Sequence, residues 1–344
     1  MGIITLSDRL AGVTALACLL IALMSIGGTA FAQPQQAPAG AAPGRGPAGP
    51  PPLSPAAWQN PTGPYAVAME EEPGLPGHTI YRPANLAALK QDKLPIITFS
   101  GPGCTASGTA FRPFFTEVAS HGFMVLVNGP VEMAGRGGQT KSADHLASID
   151  WAFAENGRKD SKFYQRIDTS KVAAMGQSCG GVEVLDISKD PRLTTLVLMN
   201  SGIWNNPPAP RSGAANGRGQ AAGAAGAAAP SPGASLLNMP KSTLQNVRVP
   251  IAYFVGKTDM ANPNAADDFT RIDAVPVFFG ALDIPGDAHG GTFRENNGGK
   301  FGVAAVAWLK WQFKGDQTAA KMFKGADCGL CKDPAWEVRK KKID

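Results

Sequence analysis

A serine with a glycine two positions to either side stands out in this chain, in the segment Gly176-Gln177-Ser178-Cys179-Gly180. Small residues at those two positions let the backbone turn sharply from a strand into a helix, so that the hydroxyl projects above the sheet. The N-terminus of the helix that follows then favours the negative charge that develops when a serine attacks a carbonyl. The chain holds 41 glycines, so the spacing alone is equally well met by a glycine-rich turn. Context separates the two: the apolar run Val172 to Met175 precedes the motif, and a segment of helical period, Cys179 to Ser188, follows it.

A serine hydroxyl is a poor nucleophile near neutral pH, so this chemistry requires a base and a carboxylate that orients it. The chain has four histidines. His78 lies in a lead-in turn, His121 just past a predicted helix, and His145 inside a predicted helix ahead of the serine, and all three read as structural. His289 lies in Gly286-Asp287-Ala288-His289-Gly290-Gly291, beyond the last predicted parallel strand, where the glycines let the imidazole reach back to the serine. Asp259, in Gly256-Lys257-Thr258-Asp259, emerges at the end of the predicted strand Ile251 to Val255. In chain order the three run Ser178, Asp259, His289, the order in which acid and base follow the serine of a G-x-S-x-G elbow. Asp267, Asp268, Asp283 and Asp287 compete on charge but not on position. Asp267 and Asp268 read as surface carboxylates, and Asp287 as the maker of a local turn bond.

An oxyanion needs two backbone N–H donors, one from the residue after the nucleophile, which is Cys179. The second is expected from the loop Gly101-Pro102-Gly103-Cys104-Thr105, where the glycines let the backbone turn inward, and Cys104 is the candidate.

The elements that must position these groups are legible as alternating patterns. Leu94 to Ser100, Phe123 to Asn128, Val172 to Met175, Leu193 to Met199, Ile251 to Val255 and Val275 to Phe279 read as buried strands. Helices are predicted over Thr109 to Ser120, Ser142 to Glu155, Cys179 to Ser188 and Lys300 to Phe313, the last with Val303, Val306, Ala307 and Trp311 at helical spacing. Tyr65 to Arg82, centred on Gly74 to Gly77, reads as an antiparallel lead-in. The alternation predicts an α/β fold with a mostly parallel central sheet covered by helices on both faces.

Around that core, 344 residues with 44% hydrophobic and 17% charged content suffice for one large domain. Arg9, the apolar run Leu10 to Met24 and the small-residue site Ala30-Phe31-Ala32 predict an export signal over residues 1–32, with an uncleaved anchor as the alternative. A Pro, Ala, Gly and Gln-rich linker is expected over 33–60, then a catalytic domain over 61–344, interrupted by a low-complexity insertion at about 206–233. This predicts a secreted or periplasmic protein with no stable membrane insertion after signal cleavage. The net charge of +5 gathers partly in Arg339-Lys340-Lys341-Lys342, which reads as a solvated tail. Basic residues are not interleaved with aromatics, so no nucleic-acid partner is expected. Beyond the signal, Cys104, Cys179, Cys328 and Cys331 suit an oxidising compartment, and their pairing is open among three arrangements. Cys328-Gly329-Leu330-Cys331 reads as a local disulfide in preference to half a zinc site or a redox motif, because no second ligand pair stands nearby. The run from Gly135, GRGGQTKS, only loosely resembles a phosphate loop and reads as a turn before a helix.

The segments GPGCTASGTAFRPFFTEVASHGFMVLV, IDTSKVAAMGQSCGG, VPIAYFVGKTD and GDAHGG resemble the bacterial cutinase and polyester hydrolase group of the α/β-hydrolase superfamily, related to dienelactone hydrolases. The resemblance implies an α/β-hydrolase fold and hydrolysis of small-molecule or polymeric carboxylic esters, without metal or organic cofactor. In that group the loop after the strand reads Pro-Gly-aromatic-Thr-Ala, and its aromatic residue supplies an oxyanion N–H and a wall of the substrate cleft. Cys104 takes that place here, and Trp204 resembles the aromatic clamp that follows the next strand. Cys104 thus replaces a large aromatic residue and Cys179 one that is usually methionine, which remodels the cleft wall. If the two are neighbours, as the mechanism requires, a Cys104 to Cys179 disulfide braces the oxyanion hole and leaves Cys328 to pair with Cys331. Two alternatives stay open: a dienelactone hydrolase-like or acetylhydrolase-like enzyme for small esters, and an exported binding protein that keeps the fold without catalysis.

Overall fold

The computed structural model describes residues 56–131, 138–207 and 236–344. The predicted export signal, nearly all of the linker and nearly all of the insertion lie outside the described residues, as does part of the run from Gly135.

Among the described residues, runs of β-branched, aromatic and aliphatic residues form a nine-stranded sheet in the order β1-β2-β4-β3-β5-β6-β7-β8-β9. The strands are β1 (Val67–Glu70), β2 (His78–Pro83), β3 (Leu94–Ser100), β4 (Met124–Asn128), β5 (Ile167–Gln177), β6 (Thr195–Met199), β7 (Ile251–Gly256), β8 (Val277–Leu282) and β9 (Trp336–Lys341). From β4 across to β8 every pairing is parallel, whereas β1, β2 and β9 join antiparallel at the two edges. The mostly parallel α/β sheet read from the sequence is the one observed.

The parallel strands are buried on both faces, so neighbouring residues serve opposite cores. Ile96, Ala174 and Leu198 point to a cluster built with α3 (Ser142–Gly157), α4 (Cys179–Asp186) and α5 (Asn262–Arg271). Ile97, Met175 and Met199 point to an aromatic-rich cluster built with α2 (Arg112–Ser120) and α6 (Gly299–Lys314). A short α1 (Ala56–Gln59) precedes the sheet. The helix expected from Thr109 begins at Arg112, with Pro113 in its first turn, where the missing N–H costs nothing.

Three expectations are corrected. The basic run Arg339 to Lys342 is no solvated tail: Trp336–Lys341 forms β9, paired from Val277↔Lys341 to Leu282↔Trp336. Its alternation is masked in sequence because long basic stems replace aliphatic side chains, with the Arg339 guanidinium lying 4.0 Å from the centre of the Phe279 ring. Lysines on an edge strand also discourage further strand pairing. In α6 the expected stripe holds at Val306 and Ala307, which are buried, and at Trp311, which packs on the core, but Val303 is 59% exposed and Phe301, Ala304, Ala305, Trp308 and Leu309 complete the core face. Asp268 is no surface carboxylate: it is fully buried, accepting from the Ile203 N–H at 2.9 Å and from Lys241 Nζ at 2.6 Å. Burial pushes its pKa up to about 6 against the pull of Lys241.

Candidate active site

The strand β5 runs directly into α4 through Ser178, which sits at φ 55, ψ −119. Such a conformation is costly for a residue with a side chain and persists only where the surroundings over-determine it. Here the Ser178 N–H donates to the Met199 carbonyl at 3.0 Å, and its carbonyl accepts from Ser201 Oγ at 2.6 Å and from the Gly181 N–H at 3.0 Å. The two motif glycines are required by close approach. A Cβ on Gly176 would collide with the Gly180 carbonyl, and one on Gly180 with the Ser100 carbonyl.

His289 and Asp259 arrive from the ends of other strands. Asp259 follows β7 and is 4% exposed, while His289 follows β8 in the turn Ala288–Gly290. Asp259 Oδ2 lies 2.9 Å from His289 Nδ1, and His289 Nε2 lies 2.9 Å from Ser178 Oγ. The Asp259 hydrogen bond raises the His289 pKa above the usual histidine value of 6.5, against the opposing effect of burial. With Nδ1–H donating to the carboxylate, Nε2 is left as the acceptor that faces the serine hydroxyl. The Asp287 side chain accepts from the Gly290 N–H at 3.1 Å, the local turn bond expected of it.

Sequence reasoning missed the residues that hold the histidine loop. Asn200, fully buried at the end of β6, donates from Nδ2 to the carbonyls of Ala288 and His289, each at 2.9 Å, and accepts from the Gly256 N–H at 2.8 Å. Gln177 Nε2 donates to the same His289 carbonyl at 2.9 Å. One amide thus ties the ends of β6 and β7 to the loop bearing His289. The signal available was an asparagine directly after an apolar strand, which by itself reads as an ordinary turn residue.

The loop after β3 places Gly103 at φ 64 and Cys104 at φ 50, two successive left-handed residues that turn the chain inward. Its Gly101 carbonyl accepts from the Gly180 N–H at 3.1 Å. A disulfide joins Cys104 to Cys179, with Cα atoms 5.2 Å apart, and a second joins Cys328 to Cys331. The Cys179 N–H is the first of α4 and has no acceptor within the helix. Trp204 lies half-buried beyond β6, and α5 grips both of its flanks: Asp268 accepts from Ile203 N, and Asn264 Oδ1 accepts from Asn205 N at 3.0 Å.

The other histidines lie elsewhere. His78 bonds the Pro76 carbonyl, and His121 bonds Glu117. His145 is fully buried on α3, with Nδ1 2.8 Å from Thr98 Oγ1, and burial depresses its pKa to about 3. Among the described residues no group of three or more His, Cys, Asp or Glu is placed to hold a metal ion.

No curated protein matches the chain. A family model described as PETase, PET hydrolase-like, matches residues 41–207, the part that carries the Cys104 loop and Ser178 and ends before Asp259 and His289. That match and the mostly parallel sheet agree with the cutinase and polyester hydrolase-like group of α/β-hydrolases that the sequence resembles.

Proposed function

We propose that this protein is an exported serine hydrolase that cleaves carboxylic esters through Ser178, His289 and Asp259. The observation that carries this reading is the unbroken chain Asp259–His289–Ser178, with both contacts at 2.9 Å and the serine held at a strained strand-to-helix turn. His289 Nε2 takes the hydroxyl proton as Ser178 Oγ attacks the ester carbonyl, and Asp259 orients the imidazole and stabilises its charged form. The N–H groups of Cys104 and Cys179 stabilise the oxyanion. The tetrahedral intermediate collapses as His289 protonates the leaving alcohol, and water activated by the same imidazole then releases the acid and restores the serine.

Trp204 forms one wall of the cleft in this reading, and the Cys104–Cys179 bridge stands where the resembled group has an aromatic residue and usually a methionine. Export is supported by the N-terminal apolar run and by two disulfides, which persist in oxidising compartments. The proposed organisation keeps a signal over 1–32, a linker over 33–60 and a catalytic domain over 61–344. Among the described residues no helix is long and apolar enough to cross a membrane.

A fluorophosphonate probe tests the chemistry directly. Ser178 is expected to be labelled, and Ser178→Ala to abolish labelling and lower p-nitrophenyl ester turnover by about 10⁴-fold or more. Folded wild-type protein that neither labels nor turns over would leave only the binding-protein reading. Comparison of short-chain and long-chain esters with an aromatic polyester film then separates polyester hydrolysis from small-ester hydrolysis.

A further inference from the structure

The disulfide is not the only tie between Cys104 and the helix that follows the nucleophile. Thr140, buried just ahead of α3, donates its N–H to the Cys104 carbonyl at 2.8 Å. Its hydroxyl donates to Glu183 Oε1, also at 2.8 Å. Neighbouring contacts reinforce this seating, because the Ala106 N–H donates to the Gly138 carbonyl and Thr105 bridges Gln139. Glu183 lies on α4 four residues after Cys179, so the two side chains share one face of the helix. A closed ring results: Cys104 through its sulfur to Cys179, along one turn of α4 to Glu183, through Thr140, and back to the Cys104 carbonyl.

Glu183 is an unusual residue to find there. It is fully buried, with Thr140 and Ser100 as the hydrogen-bonding side chains against its carboxyl, and His145 Nε2, itself unpartnered, stands 3.7 Å away. A carboxyl so placed carries a desolvation cost that a hydrocarbon of the same size would avoid. What its position does achieve is the contact with Thr140, which grips the backbone of the residue proposed to donate to the oxyanion.

We propose that Thr140 and Glu183 are positioning residues for the oxyanion hole, forming with the Cys104–Cys179 disulfide a double tie that holds Cys104 in register with the nucleophile helix. Neither residue touches substrate. Each acts by fixing the peptide whose N–H must meet charge in the transition state, where a small misplacement is felt in kcat more than in KM. The proposal rests on the ester hydrolase reading above.

The test crosses the two ties, in a background carrying Cys328→Ser and Cys331→Ser so that reductant reaches only the Cys104–Cys179 bond. Hydrolysis of a p-nitrophenyl ester is measured with and without reductant for this parent and for Thr140→Val, with Thr140→Ser as rescue. Reduction alone and Thr140→Val alone are each expected to lower kcat about tenfold, and the two together at least about 100-fold, with KM moving little. Thr140→Ser should restore the parent values in both redox states. If Thr140→Val fails to fold, Glu183→Gln makes the same comparison, with a loss of about threefold expected when oxidised and more when reduced. A folded variant whose kcat stays within about twofold of the parent in both states overturns the double tie and leaves the ester hydrolase reading intact. A parent that neither turns over nor labels with the fluorophosphonate overturns both.

Discussion

Two of the histidine–carboxylate pairs packed around this sheet, His289 with Asp259 and His145 with Glu183, behave oppositely. At the strand ends, His289 Nδ1 meets Asp259 at 2.9 Å, the side chain is 29% exposed, and its pKa is raised. In the interior, His145 Nε2 stands 3.7 Å from Glu183 with neither group exposed, and burial depresses the histidine to about 3 while it raises the carboxyl. The residue types are alike, so composition does not separate them. A formed hydrogen bond with partial access to water favours the imidazolium that acyl transfer needs, whereas deep burial without that bond favours two neutral partners. The first pair suits proton transfer, and the second suits holding Thr140 in place.

The largest break in this comparison is expected from Asp259→Asn. Losing the carboxylate removes both the orientation of the ring and the main cause of its raised pKa, so ester turnover should fall by about 10³ to 10⁴-fold. Under the proposed mechanism His289 accepts a proton only when neutral, so kcat/KM should decline as pH falls through a midpoint above 6.5. The residual activity of the variant should show that midpoint at lower pH. A midpoint that does not move between the two proteins would detach Asp259 from His289.

A smaller effect is expected at the loop that carries His289. Asn200→Ala leaves the buried carbonyls of Ala288 and His289 and the Gly256 N–H short of a partner. A loss of about 2 to 3 kcal/mol of stability in urea unfolding is expected, with turnover reduced as the histidine loop loosens. Unchanged stability would mean that Gln177, which bonds the same His289 carbonyl, holds the loop by itself.

The smallest effect concerns the buried pair. The folded pKa of His145 lies below its ordinary value, so the stability it contributes is present above about pH 6.5 and is lost progressively as pH falls toward 3. Glu183 has the opposite sign: its folded pKa is raised, so its contribution is present below 4.5 and is lost as pH rises through the folded value. His145→Asn should therefore flatten the loss of stability between about pH 7 and pH 5, read by urea unfolding at each pH. An unchanged slope would show that His145 takes up its proton without strain in the folded protein.

Much of this was legible beforehand, because period and order are local properties of a chain. Buried parallel strands read as apolar runs, so Leu94–Ser100 was predicted to the residue. The β8 strand was harder, since Gly280 interrupts its pattern, and that glycine is explained only by Trp336, whose ring would lie 3.0 Å from a Cβ there. The β9 strand was missed because its burial comes from the stems of Arg339 and the lysines, which look like tail residues until Phe269 and Phe279 lie beneath them.

By itself, the sequence determined the alternating elements, the candidate nucleophile at a glycine-flanked turn, and an acid and a base in workable order. These follow from side-chain period and backbone freedom, which act over a few residues. Only the tertiary structure decided which cysteines meet, that Asn200 holds the histidine loop, and that Thr140 and Glu183 close a ring on Cys104. Those contacts join residues 36 to 89 positions apart, with the disulfide spanning 75, and whether such groups pair or stay apart depends on packing between elements. Packing also set these two histidine–carboxylate pairs against each other, by giving one a mutual hydrogen bond and partial exposure and the other neither.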